Sequence, residues 1–117
     1  MTSTVSGISF DAHDAQAIAT FWAHVLGRTV TDGADVDHAW IKADPGSPGS
    51  PRIGFHRVPE DKTVKNRMHL DLTAADFDAE IARLTRLGAR KLTDISMGVH
   101  WATLADPEGN EFDVTAG

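Results

Sequence analysis

Hydrophobic and polar positions in this chain follow two periods that take turns. In Val5-Ser-Gly-Ile-Ser-Phe10 the apolar Ile8 and Phe10 alternate with Gly7 and Ser9, the two-residue period of a strand buried on one side. Asp11-Ala-His-Asp14 follows, and Ile18, Phe21, Trp22, Val25 and Leu26 then recur at helical spacing until Gly27. This predicts a strand, a capped helix and a glycine stop. Roughly sixty residues later the same order returns, as a repeat of a whole supersecondary unit would make it. Met68-His-Leu-Asp-Leu72 alternates, Thr73-Ala-Ala-Asp76 follows, and Phe77, Ile81, Leu84 and Leu87 keep helical spacing up to Gly88.

Shorter alternating runs complete each half. They are 28–31, 38–42 and 52–58 in the first, and 90–93, 99–104 and 110–114 in the second. Asp32-Gly33, the Gly/Ser/Pro segment 45–51 and Asp106-Pro-Glu-Gly-Asn110 separate them with the residues tight turns use. Segment 45–51 is read as a long hairpin loop, because the strands on both sides belong to the first half. The polar stretch 59–66 is read as the connection between modules. The expected fold is therefore α+β, with two tandem βαβββ modules in a single 1–117 domain: module one about 4–58, linker 59–66, module two 67–115.

One helix covers only one face of its sheet, so the other face of each module is open, and strand parity sorts the residues onto it. Gly7 and Ser9 take the open face of the first strand. Gly54, His56 and Val58 take it on the fourth, with Ile53 and Phe55 in the core. In the second module Met68, Leu70 and Leu72 are expected in the core, with Arg67, His69 and Asp71 on the open face. Glu111 and Asp113 join them from the last strand, opposite in parity to Phe112 and Val114. Each polar residue taken singly also fits an ordinary solvated strand face. Taken together, His56, His69 and Asp113 have the composition of a two-histidine, one-carboxylate site for Fe(II), Mn(II), Ni(II) or Zn(II). Asp71 is placed to accept the other ring N–H of His69, or to be solvated.

Composition narrows the chemistry further. Among 117 residues there is no cysteine, which removes disulfides, thiolate catalysis and cysteine zinc sites, so any metal rests on His, Asp or Glu. Eleven basic against 17 acidic residues leave a net charge of −6 with histidine neutral, which argues against a nucleic-acid partner. Without an apolar run of membrane length or a basic-then-apolar leader, no membrane partner and a cytoplasmic location are expected. No Ser-His-Asp order and no phosphate-binding glycine loop occurs. Trp22 is read as core, and His13, His24 and His38 as solvated. Trp40 and Trp101 would stack on a planar ligand if they face the open side, and His100, opposite in parity to Trp101, takes the other side from it. Arg67 could hold an anionic group.

With Phe21-Trp22-Ala-His-Val-Leu-Gly27 closing the first helix, His69 opening the second module and Asp106-Pro-Glu-Gly-Asn-Glu-Phe112 before the last strand, essentially the whole chain resembles the vicinal oxygen chelate superfamily. Within it the chain is similar to the small glyoxalase-like group. The resemblance implies modules that curve into an incomplete barrel around a concave cleft, and a divalent metal held by the first and fourth strands of each. Carried onto this chain, those positions are His69, Asp113 and His56, with Gly7, which has no side chain, at the remaining one. Asp113 stands where members with glyoxalase I activity have the longer Glu. A homodimer is also implied.

Three functions follow as expectations. In the first, one divalent metal on His56, His69 and Asp113 serves a lyase, isomerase or dioxygenase acting on a small molecule. In the second, no metal is bound, and the cleft with Trp40, Trp101, His100, Arg67 and Asp71 sequesters a small molecule, as antibiotic-resistance members of the superfamily do. In the third, the module is regulatory or structural and a partner domain closes the cleft.

Overall fold

Both helices start on an aspartate and stop on a glycine, and between those caps the buried positions follow the helical period. Asp14 accepts from Ala17 N at 3.0 Å and Asp76 from Ala79 N at 3.1 Å, each satisfying an N–H that the first helical turn leaves open. Gly27 and Gly88 end the helices at φ 64° and 123°, in the left-handed region a residue with a Cβ avoids.

The computed structural model describes residues 2–47, 50–97 and 99–117, in two compact units, Met1–Asp61 and Lys62–Gly117. Pro48 and Gly49, within the expected hairpin loop, lie outside the described residues. The first unit runs β1 (Gly7–Ala12), α1 (Ala15–Leu26), β2 (His38–Ile41) and β3 (Arg52–Arg57). Its sheet has the order β1-β3-β2, with β1 parallel and β2 antiparallel to β3. Ile18, Phe21, Trp22 and Val25 are buried on α1, at the spacing that places four side chains on one helix face. They meet Ile53 and Phe55 of β3, and Phe10 of β1 stacks on both Trp22 and Phe55, with ring centroids 6.4 and 5.6 Å apart.

The second unit runs β4 (Asp71–Ala74), α2 (Phe77–Leu87), β5 (Arg90–Met97), β6 (Val99–Ala105) and β7 (Glu111–Ala116), with sheet order β4-β7-β6-β5. Its buried residues include Phe77 and Leu84 of α2, Ala102 and Leu104 of β6, and Phe112 and Val114 of β7. Each unit joins its first strand in parallel to its last through a helix, and neither sheet closes on itself. The fold is α+β with two similar halves, as the repeat in the sequence requires.

Three expectations are corrected. The run 28–31 forms no strand; only Val30 makes a bridge, to Ile41, so the first sheet has three strands where the second has four. The run 68–72 becomes a strand only from Asp71, which leaves Arg67, Met68 and His69 in the approach to β4. Met68, expected in the core, is therefore 74% exposed: outside a sheet the two-residue alternation no longer dictates which way a side chain points.

Candidate functional site

In the second unit, β4 and β7 are parallel neighbours and bring Asp71 directly beside Asp113. The backbone N–H of Asp113 donates to Leu70 O at 3.0 Å, which ties the approach to β4 onto β7 and sets His69 against both carboxylates. His69 Nδ1 lies 2.8 Å from Asp71 Oδ1 and 3.8 Å from Asp113 Oδ2. Thr103 of β6, opposite Asp113 in register, donates its hydroxyl to Asp113 Oδ1 at 2.6 Å and holds that carboxylate in place. His69 and Asp71 are open to solvent, while the Asp113 side chain is 24% exposed.

The turn that delivers Asp113 is built by Asp106. Its buried carboxylate accepts the backbone N–H groups of Glu108 and Asn110, each at 2.9 Å, so the Asp-Pro-Glu-Gly-Asn segment closes into β7. Glu111, on the same strand face as Asp113, binds Lys62 Nζ at 2.7 Å and Asn66 N at 2.8 Å, which pins the segment before β4. Burial pushes the Glu111 carboxyl up, but the Lys62 ammonium and the Asn66 N–H outweigh it and hold it below the ordinary range.

One donor atom from each of His69, Asp71 and Asp113 can be chosen so that all lie within 4.8 Å of one another. A divalent ion bonded at about 2.0–2.2 Å to N and O donors spans at most about 4.4 Å between opposite ligands, so the set needs only a slight contraction to enclose one. The donor chemistry fits as well. Two carboxylates share one rung, and among the described residues no Lys or Arg pairs with either, so a cation relieves their repulsion.

The first unit gives its open face a different character. Trp40 of β2 stands opposite Gly54 of β3, and its indole lies flat on the glycine: a Cβ built at position 54 would sit 2.2 Å from the ring. Gly54 is thereby buried although it lies on the open face. Arg52, which shares Gly54's parity, places its guanidinium 4.5 Å from the Trp40 ring centroid, and its Cγ would lie 3.1 Å from a Cβ at Gly7. The first-strand position that Gly7 leaves without a side chain is thus covered by the Arg52 stem. His56 meets Trp40 edge-on at 5.1 Å between centroids and lies 6.3 Å from His38, its cross-strand partner. With His13, Asp37 and Arg57 these histidines line a depression of about 720 Å³.

The structure therefore brings together His69, Asp71 and Asp113, and places His56 and Trp40 side by side on the open face of the other unit. Trp101, paired in register with Thr115, shares the face of Thr103 and Asp113. His100 takes the opposite side: it packs on Phe77 of α2 at 3.9 Å between centroids and contacts Asp94 Oδ1 at 2.9 Å. Arg67 is exposed ahead of β4. The sequence reading overlooked Thr103, which only the β6–β7 register reveals. It also overlooked Arg52, which the parity of Gly54 and His56 already marked.

An α+β pair of similar units, βαββ and βαβββ, the second bringing an imidazole and two carboxylates together, defines the class. The chain belongs to the glyoxalase-like domain family, whose model matches residues 7–115, within the vicinal oxygen chelate superfamily. Solved structures share the fold. A glyoxalase/bleomycin resistance protein/dioxygenase family enzyme from Burkholderia phytofirmans PsJN is 19% identical, with a TM-score of 0.74 over 97% of this chain and 98% of its own. The fosfomycin resistance protein FosX from Mesorhizobium loti is 14% identical, with a TM-score of 0.74 over 100% and 94%. A variant of FosX from Listeria monocytogenes, in complex with Mn(II) and 1S,2S-dihydroxypropylphosphonic acid, is 15% identical, with a TM-score of 0.75 over 100% and 92%. No curated protein matches the sequence. Among the described residues no helix is long and apolar enough to cross a membrane.

Proposed function

We propose that this protein is a divalent-metal-dependent member of the glyoxalase-like family acting on a small oxygen-bearing molecule, with the ion held by His69, Asp71 and Asp113. The observation that carries the reading is the convergence of those three donors within 4.8 Å of one another. An ion bound there supplies Lewis acidity toward a substrate oxygen. The chain's own residues do the rest: Thr103 fixes the orientation of Asp113, and Trp101 stands on the same face. The FosX complex with Mn(II) and a phosphonic acid supports the choice of a metal and a small polar ligand.

The test is metal content by plasma mass spectrometry on protein purified without chelator, before and after reconstitution with iron, nickel, manganese and zinc. About one ion per chain, lost in His69→Ala and in Asp113→Asn, is the expected result. An ion content at background after reconstitution, or one indifferent to both substitutions, overturns it. A second reading, metal-free sequestration of a small molecule, draws on the 2.8 Å His69–Asp71 contact, which pairs the imidazole without an ion. Thermal stabilisation by ligand that EDTA leaves unchanged would favour it.

A further inference from the structure

Where β2 leaves the first sheet and β1 and β3 enter it, Ser6, Thr31, Trp40, Ile41, Lys42, Ala43 and Arg52 line a depression of about 360 Å³, within the size range of small-molecule sites. Its walls carry two cations and no acidic side chain, in a chain whose net charge is −6. Among the described residues no carboxylate pairs with Arg52 or Lys42. The nearby Asp44 is occupied in its own turn, accepting from Gly46 N at 2.9 Å. Arg52 is nevertheless held in place: its guanidinium lies over Trp40, and its stem lies over Gly7. Arg28 braces the rim by donating to the carbonyls of Lys42 and Pro51, the latter at 2.8 Å.

We propose that this depression binds a small aromatic carboxylate, with the carboxylate on Arg52 and Lys42 and the ring against Trp40 and Ala43. A guanidinium presents a planar fork of N–H donors that matches a carboxylate, and an arginine already stacked on an indole loses little freedom when it uses them. The indole and the exposed Ala43 methyl supply the apolar surface a flat ring needs, and the absence of a lining carboxylate removes the repulsion an anion would meet. The inference involves only the first unit and stands whether or not the second unit binds metal.

The experiment is a titration of the full chain with benzoate, following the indole Nε1–H of Trp40 by proton–nitrogen NMR, with Trp40→Phe to assign the signal. Saturable shifts are expected with benzoate, with neutral benzamide binding at least tenfold more weakly. Arg52→Gln and the exposed Lys42→Gln are each expected to weaken benzoate binding severalfold while circular dichroism melts stay close to the parent's. Equal binding of benzoate and benzamide would overturn the proposal. So would benzoate affinity unchanged in Lys42→Gln, or inorganic phosphate moving the same signal at the same concentration as benzoate. Should Arg52→Gln fail to fold, Lys42→Gln and the benzamide comparison still decide the matter.

Discussion

Counted back from the matching ends of the two parallel pairs, where Val58 N donates to Ala12 O and Gly117 N to Ala74 O, the first unit sets Ser9, Gly54 and Trp40 on the rung where the second sets Asp71, Asp113 and Thr103. Next to that rung the first unit has Arg52 lying over Trp40 on a floor of two glycines, and the second has His69 lying against two carboxylates. Strand order, helix placement and caps match; the chemistry does not. A repeated scaffold conserves the direction in which a position points, while what stands there is free to change, because an open-face side chain makes few packing contacts that a substitution would disturb. One face thus became cationic and aromatic, and the other gathered negative charge.

The largest expected effect comes from breaking the first face. Gly54→Val puts a branched side chain where the Trp40 ring lies, so either the indole is expelled or the strands separate. About 3 kcal/mol of destabilisation is expected, the upper part of the range for overpacking, read from urea unfolding with Trp40 emission as a second signal. A loss below about 0.5 kcal/mol, the scale of ordinary surface substitutions, would mean that the ring does not rest on Gly54.

On the second face Thr103→Val keeps the side-chain shape and removes the donor to Asp113 Oδ1. Metal affinity, measured by competition with a chromogenic chelator, is expected to fall about tenfold, as loss of a ligand's hydrogen-bonded support does in other metal sites. An unchanged affinity would place the ion elsewhere.

Next come the two caps. Asp14→Ala and Asp76→Ala are each expected to cost about 1 kcal/mol in urea unfolding, since each aspartate satisfies one helix N–H from a solvent-facing position. Clearly unequal losses would show that the two helices differ in how far their first turns depend on the cap.

The smallest effect is a pH dependence at the edge of the second sheet. The Lys91 ammonium, with help from His100, holds the Asp94 carboxyl below the ordinary carboxylate range. A carboxyl lowered on folding contributes stability that is present above its unfolded pKa and lost as the pH falls through its folded pKa. Asp94→Asn is therefore expected to lower the melting temperature slightly at neutral pH, and to converge with the parent in acid below that folded value. A difference that grows on acidification would contradict the assignment.

Much of this was legible before any coordinates. The caps and stops, Asp14 to Gly27 and Asp76 to Gly88, follow from residue types whose conformational preferences act within a turn or two. The core positions Trp22, Phe55, Phe112 and Val114 follow from period alone, because burial on one side of an element is a local consequence of its geometry. Parity also put His56, Asp71 and Asp113 on open faces, and the register agrees. It failed at Met68, where the strand had not yet begun, and at the run 28–31, which contributes only a bridge from Val30.

The sequence by itself determined the repeat, the two capped helices and the open-face parity of His56, Asp71 and Asp113, because these depend on neighbours a few positions away. Only the tertiary structure decided which of those residues meet. Asp71 and Asp113 are 42 positions apart, and β4 with β7 makes them neighbours. Thr103 becomes the partner of Asp113 through the β6–β7 register, Trp40 falls on Gly54 through the β2–β3 register, and His100 turns to Phe77 because β6 presents it to α2. Pairing register depends on the turns and on the packing of whole strands, and a shift of one residue would send every one of these side chains to the opposite face.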